Sequence, residues 1–200
     1  HHDPSHVAMS ATKSGSDFTL SGEKRYVVDG AEAGLLIVAA RTSGRPGDAT
    51  GITLFLAPGN TKGVTRTSLK TLDAHPAANI AFADVEVGSD AVLGAVDGGY
   101  GALEAILDRA RIGLAAEMLG AADAAFEMTS DYLKMRKQFG QLIGSFQSIQ
   151  HRAAIMFTDL ELTRSCVAAE PSALDSQANN ITEMATLEKA RAAETLHGVL

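Results

Sequence analysis

Residues 100–136 read YGALEAILDRARIGLAAEMLGAADAAFEMTSDYLKMR, and this stretch decides the fold. Its apolar positions are Leu103, Ile106, Leu107, Ala110, Leu114, Met118, Ala121, Ala125, Met128, Tyr132 and Met135. Apart from the adjacent Ile106 and Leu107 they step by three or four, the spacing of one helix face. No proline falls between Pro76 and Pro171, so nothing in the backbone chemistry breaks that helix. So long a helix in a soluble protein belongs to a bundle, where neighbouring helices cover the stripe. Gly113 and Gly120 inside it each cost about 1 kcal/mol relative to alanine. That cost predicts close helix packing at both positions.

Downstream, Gln138-Phe139-Gly140 ends the helix, with Gly140 as a natural residue just past its last turn. Ser145 is the expected N-cap of a second helix running from Phe146 toward Ala169. Ile149, Ala153, Met156, Leu160, Thr163 and Val167 form its inner stripe. Residues 171–180 read as a loop. A third helix starts near Thr182, the expected N-cap, and is still in progress at Leu200. The chain is therefore expected to be truncated there.

Upstream of Asp97-Gly98-Gly99 the pattern changes. Short runs rich in Val, Ile, Leu, Phe and Thr alternate with Gly, Pro, Asn and Asp. Strands are predicted at 7–13, 18–21, 23–29, 35–42, 52–57, 64–69 and 79–87. In the first, Val7, Met9 and Ala11 alternate with Ala8, Ser10 and Thr12. Ser21-Gly22 reads as a tight turn between paired strands, and 44–51 as an exposed hairpin loop. The fold class is therefore α+β and multidomain. An antiparallel β-sandwich or barrel at 1–96 precedes a partial antiparallel helical bundle at 97–200.

The net charge of −7 argues against a general nucleic-acid surface. Aromatics make up only 5% of the chain and Trp is absent, so alanine does much of the packing. Cys166 has no second cysteine to bridge to, which suits a reducing, cytoplasmic setting. Within a helical pattern it reads as a buried, inert thiol. The longest apolar run, at 35–40, is far short of a membrane span. The N-terminus has no signal-peptide architecture. His1, His2 and His6 invite only stray metal, and no His/Cys cluster has metal spacing, so no metal site is expected. His75 and His151 read as surface or structural residues. There is no P-loop and no G-x-G-x-x-G after a strand, and Gly98-Gly99-Tyr100-Gly101 is too weak a phosphate signal.

The most suggestive chemistry is Arg136-Lys137-Gln138-Phe139-Gly140. Arg can clamp a diphosphate, Gln can bond a ligand edge and Phe can cover a planar ring. From spacing alone the simpler account is cations complementing a helix C-terminus. Arg111, beside Arg109 and Asp108, reads by itself as part of a surface ion pair. Glu104 and Asp108 are expected on a face turned to solvent.

Four stretches, in order, resemble the acyl-CoA dehydrogenase family. They are LSGEKRYVVDG at 20–30; LIVAART at 36–42 with GITLFL at 51–56; FADVEV at 82–87 leading to Leu93-Gly94; and 132–164, with RKQFG and FQSIQHRAA. The last is the most specific, and together they cover essentially the whole chain. The resemblance implies a middle β-domain and part of a C-terminal four-helix bundle. It also implies FAD as cofactor, an acyl-CoA substrate, electron-transfer flavoprotein or a similar acceptor, and a homo-oligomer, dimer or tetramer. On the family pattern Arg136 and Gln138 meet the diphosphate region of a partner subunit's FAD. Phe139 packs near that flavin and Gln147 reaches its adenosine. Tyr26, Val27 and Val28 lie along the isoalloxazine of the subunit's own FAD. Arg111, with Asp108 nearby, lines the acyl-CoA pocket.

Two positions depart from the pattern. Val28 stands where the family often has Thr or Ser. Ala110 stands where some members carry the catalytic Glu, and on the family pattern most others carry it beyond residue 200, so the catalytic base is unassigned. The implied activity is α,β-dehydrogenation of an acyl-CoA thioester. The alternatives are a non-catalytic subunit of a mixed oligomer, or another flavoenzyme of the same fold, an acyl-CoA oxidase or a flavin-dependent monooxygenase.

Overall fold

A computed structural model describes residues 3–73, 75–175 and 180–200, so His1 and His2 lie outside the described residues. The chain divides into two compact units, His1–Glu104 and Ala105–Leu200.

The first unit is built on one sheet. Strands β1 (Ser10–Ser14) and β2 (Asp17–Val27) form a hairpin whose two-residue turn places Gly15 at φ +63°. Val7, Met9 and Ala11 are buried, while Ala8, Ser10 and Thr12 are exposed, as the alternation predicts. Ser21-Gly22 is not a turn. The chain runs straight through it, and the register against β6 (Ala78–Val87) shifts between Leu20 and Gly22. Gly22 has φ +140°, and a Cβ there would sit 3.0 Å from the Met9 side chain. The glycine absorbs a bulge inside one long strand instead of reversing the chain.

β5 (Val64–Ser68) closes one side of the sheet against β6. On the other side β1 meets β3 (Leu35–Arg41) through the parallel pair Ser10↔Arg41, so the sheet is mixed. β3 pairs antiparallel with β4 (Ile52–Pro58), and β4 with the short β7 (Val92–Leu93). Phe18 on β2 and Phe55 on β4 meet edge to face with ring centroids 5.1 Å apart. Their strands are three places apart in the sheet, about 14 Å if it were flat. The sheet therefore curls so that side chains of β1, β2, β3, β4 and β6 share one core.

The 42–51 loop is tied down from beneath. Buried Arg41 donates to the carbonyls of Ser5, Val7, Ser43, Asp48 and Thr50. Asp97, at φ +64°, accepts from the hydroxyls of Thr42 and Ser43.

Helix α1 (Tyr100–Met135) begins before the division and continues into the second unit, which adds α2 (Gln147–Asp175) and α3 (Ile181–Val199). The three run up, down and up. Asp123 of α1 pairs with Arg164 of α2 at 2.8 Å, and Phe126 meets Phe157. Thr163 of α2 and Thr195 of α3 share a buried hydroxyl hydrogen bond of 2.8 Å. Leu119, Ala122, Leu160 and Val199 form the centre. Every residue of the predicted α2 stripe is turned inward, and Leu160 and Thr163 are fully buried. Ala185, Glu188, Ala192, Thr195 and Val199 make the buried stripe of α3 at alternating steps of three and four.

Several local expectations are corrected. α2 continues through Pro171 to Asp175, into the stretch read as a loop, whose residues 176–179 lie outside the described residues. Proline removes one backbone donor, but Ala173 and Leu174 beyond it are strong helix formers. Ser145 does not cap α2; it lies in a 3-10 turn and its hydroxyl donates to the Leu142 carbonyl at 2.6 Å. Cys166 is exposed, because the inner stripe passes through Thr163 and Val167 and leaves it outside. The buried residues of α1 are Asp108, Ala115, Leu119 and Ala122, whereas Ile106, Leu114, Met128, Tyr132 and Met135 are exposed. The helix is apolar on two faces, and α2 and α3 cover only one. A Cβ at Gly113 or Gly120 would meet nothing within 4 Å among the described residues, so no close packing occurs there.

Candidate functional site

Just after α1 the chain makes a small hairpin, β8 (Lys137–Gln138) with β9 (Gln141–Leu142). Its turn residues are Phe139 at φ +53° and Gly140 at φ +79°. A two-residue turn with both central φ values positive matches the twist of paired strands. Gly140 is thus a hairpin residue, not a helix cap. The Ile143 N–H donates to the Arg136 carbonyl and fastens the hairpin base. Phe139 is 92% exposed at the tip, and its ring meets that of Phe146 edge to face. Arg136, Lys137 and Gln138 are exposed, as is Gln147 at the start of α2. Among the described residues no side chain engages the Arg136 guanidinium. Arg41 and Arg66, by contrast, are committed to backbone carbonyls.

In the first unit, Tyr26 stands at the end of β2 with φ +54°, 71% exposed. Its N–H donates to the Asn79 side-chain carbonyl at 3.1 Å. Val27 packs against the core, and Val28 is again exposed, at 68%. The turn closes by the Gly30 N–H donating to the Val27 carbonyl. Among the described residues, the non-glycine residues with positive φ are Tyr26, Asp29, Asp84, Asp97 and Phe139. Aspartate tolerates this conformation; a bulky aromatic does not do so without cost. Both aromatic cases fall on residues that the family resemblance marks for flavin, and both rings are presented outward. Backbone strain concentrated at display positions is a property of binding sites. On the hairpin after α1, the exposed Phe139 ring, the Arg136 guanidinium and the Gln138 amide suit a ligand with a planar ring and a diphosphate, a chemistry that FAD has.

Two further features were not legible in the sequence. Lys24 lies half-buried on β2, and burial holds its ammonium below the ordinary lysine range. Asp108 is 3% exposed, not on a solvent face. One of its oxygens accepts from Arg111 Nη1, and the other accepts from the Thr182 hydroxyl at 2.6 Å. Thr182 is therefore not the cap of α3; Asn180 holds that position without a side-chain bond. The Arg111 side chain is 24% exposed.

Residues 2–85 match the family description "Acyl-CoA dehydrogenase, middle domain", and residues 97–200 match "Acyl-CoA dehydrogenase, C-terminal domain". The short/branched chain specific acyl-CoA dehydrogenase of Bos taurus is 36% identical over 160 residues, covering 77% of this chain and 36% of that protein. The solved butyryl-CoA dehydrogenase of Megasphaera elsdenii is 31% identical with a TM-score of 0.86, covering 96% of this chain and 50% of that one. A structure described as an FAD-dependent dehydrogenase is 27% identical with a TM-score of 0.90, covering 98% of this chain and 53% of that one. The chain belongs to the acyl-CoA dehydrogenase family. It spans a little over a third of the bovine relative's length.

Proposed function

We propose that this chain is the β-domain and partial helical bundle of an FAD-dependent dehydrogenase acting on acyl-CoA thioesters. The division of labour falls between residues 1–96 and 97–200. The observation that carries the reading is Phe139, displayed at the tip of a strained hairpin beside the unengaged Arg136.

On this reading Arg136 and Gln138 bind the FAD diphosphate region of a partner subunit, Phe139 covers part of that cofactor, and Gln147 bonds its adenosine. Tyr26, Val27 and Val28 form the wall along the isoalloxazine of the chain's own FAD. Val28 has no side-chain donor, so any polar contact there comes from backbone. Arg111, steadied by Asp108, faces the acyl-CoA. When bound, the flavin would supply the redox chemistry as acceptor of the β-hydride, while the α-proton would go to a base that is unassigned. Electron-transfer flavoprotein or a similar protein then accepts the electrons. A homo-oligomer follows from the sharing of each cofactor between subunits. The setting proposed is cytoplasmic.

The full-length protein tests this directly. Purified, it should show flavin absorption bands that bleach on addition of an acyl-CoA. A colourless protein that stays colourless with added FAD sinks the proposal. Arg136→Ala should weaken FAD binding about ten-fold, the scale of one charge-assisted contact. Unchanged binding would leave Arg136 as a helix-end cation only.

Ala110 favours a second reading, a non-catalytic subunit of a mixed oligomer, because it offers no proton acceptor. Reconstitution separates the two: a non-catalytic subunit binds flavin yet turns over acyl-CoA only when mixed with a different family member.

A further inference from the structure

We infer that Thr182 is a positioning residue: acting through Asp108, it holds the Arg111 guanidinium in place for an acyl-CoA. The inference rests on the reading that Arg111 faces that substrate.

Asp108 is a carboxylate buried within the bundle, with each oxygen committed to a different helix. One accepts from Arg111, three residues along α1, and the other from Thr182 in the first turn of α3. A buried carboxylate needs both oxygens satisfied, and two separate donors fix its plane as well as its position. The plane of the carboxylate in turn fixes the planar guanidinium bonded to it. Arg111 uses Nη1 for Asp108, and its Nε and Nη2 make no hydrogen bond to the described residues. With the side chain partly exposed, those donors remain available for a ligand oxygen.

The position of Thr182 strengthens the case. A threonine at the start of a helix ordinarily serves its own backbone as a cap. Here the hydroxyl turns to a residue 74 positions earlier, and α3 has no side-chain cap hydrogen bond at Asn180. Removing the hydroxyl leaves one Asp108 oxygen buried without that donor. The carboxylate is then free to rotate, and Arg111 moves with it.

The test uses the full-length, FAD-loaded protein with butyryl-, octanoyl- and palmitoyl-CoA, taking whichever binds tightest. Dissociation constants come from calorimetry and kcat from dye reduction. Thr182→Val should raise the dissociation constant about five-fold, the scale of one hydrogen bond to a charged group. Flavin content and kcat should stay within about two-fold, because Arg111 orients substrate and does not handle the proton. Thr182→Ser should restore wild-type affinity. Arg111→Ala should weaken binding, and adding Thr182→Val to it should do nothing more.

Weakening by Arg111→Ala with no effect of Thr182→Val overturns the relay and leaves the pocket reading standing. No effect of Arg111→Ala overturns both, as does a wild type that binds none of the three thioesters. If Thr182→Ser is as weak as Thr182→Val, the residue acts by packing and the inference fails. Should Thr182→Val not fold, Thr182→Ala removes the same hydroxyl without adding apolar bulk and decides the matter in its place.

Discussion

A methyl group on Gly51 would lie 2.2 Å from the Ser43 carbonyl oxygen, and Gly51 has φ +84°. The obstacle is backbone in the loop that Arg41 already pins, so it cannot swing aside as a side-chain tip would. Gly51→Ala should therefore cost about 3 kcal/mol of stability, read as a lower urea midpoint at unchanged slope. A loss below about 1 kcal/mol would mean that the 42–51 loop is softer than its hydrogen bonds imply. Lys24 makes the complementary electrostatic case. Its ammonium is held below the ordinary lysine value of 10.5 by burial. Between the folded value and 10.5, the unfolded chain binds more protons, so stability from this group rises with pH through that window. Below the folded value the penalty is constant. Lys24→Met should remove this slope, and an NMR titration of the Lys24 side chain should give a midpoint under 10.5. A midpoint at or above that value would refute the burial argument.

Among elements, the tie between α2 and α3 rests on Thr163 and Thr195, whose hydroxyls meet at 2.8 Å in the interior. The Thr163 hydroxyl also lies 2.8 Å from the Asp159 carbonyl, so Thr195 has the fewer alternatives. Thr195→Val should cost about 1–2 kcal/mol, and the Thr163→Val/Thr195→Val pair less than the sum of the singles. Additive losses in chemical denaturation would show that the two hydroxyls do not interact. The α2 stripe was legible because its residues keep steps of three and four along the face that is covered, although Ile155, Phe157 and Leu162 put further apolar side chains outside it. The α1 stripe was not: apolar residues ring that helix, so periodicity could not choose the face that α2 and α3 occupy. Cap positions failed for a related reason. Ser145 and Thr182 have the right chemistry for caps, but nearer or stronger acceptors, the Leu142 carbonyl and the buried Asp108 carboxylate, took their hydroxyls. Ser21-Gly22 misled because a bulge and a turn call for the same residue. The candidate site was legible at Arg136 to Phe139, where the signal is local. At Asp108, which the family resemblance already named, it was the burial that was hidden, because it depends on a helix more than 70 residues away.

At the scale of the whole molecule, the uncovered face of α1 has the largest physical consequence. Met128 is 74% exposed, and Leu114, Tyr132 and Met135 lie along the same helix, followed by the Phe139 ring beyond its end. Exposed apolar side chains gathered toward one end of a helix drive association when nothing else covers them. The net charge of −7 opposes the approach of a second copy, most strongly at low ionic strength. Salt screens that repulsion and leaves the hydrophobic term in place. This 200-residue chain should therefore scatter light as a species heavier than its 20.8 kDa monomer, and more so in about 0.5 M than in 0.05 M sodium chloride. Association through ion pairs would show the opposite salt dependence. Met128→Glu with Met135→Glu places charge in the middle of the apolar stripe and should return the chain to the monomer mass at both salt concentrations. Neither side chain is buried, so the substitutions should leave the far-ultraviolet dichroism of the bundle unchanged. A wild-type chain that remains monomeric at about 50 μM in high salt would show that this face is too weakly apolar to matter, and the homo-oligomer would then have to rest on other contacts.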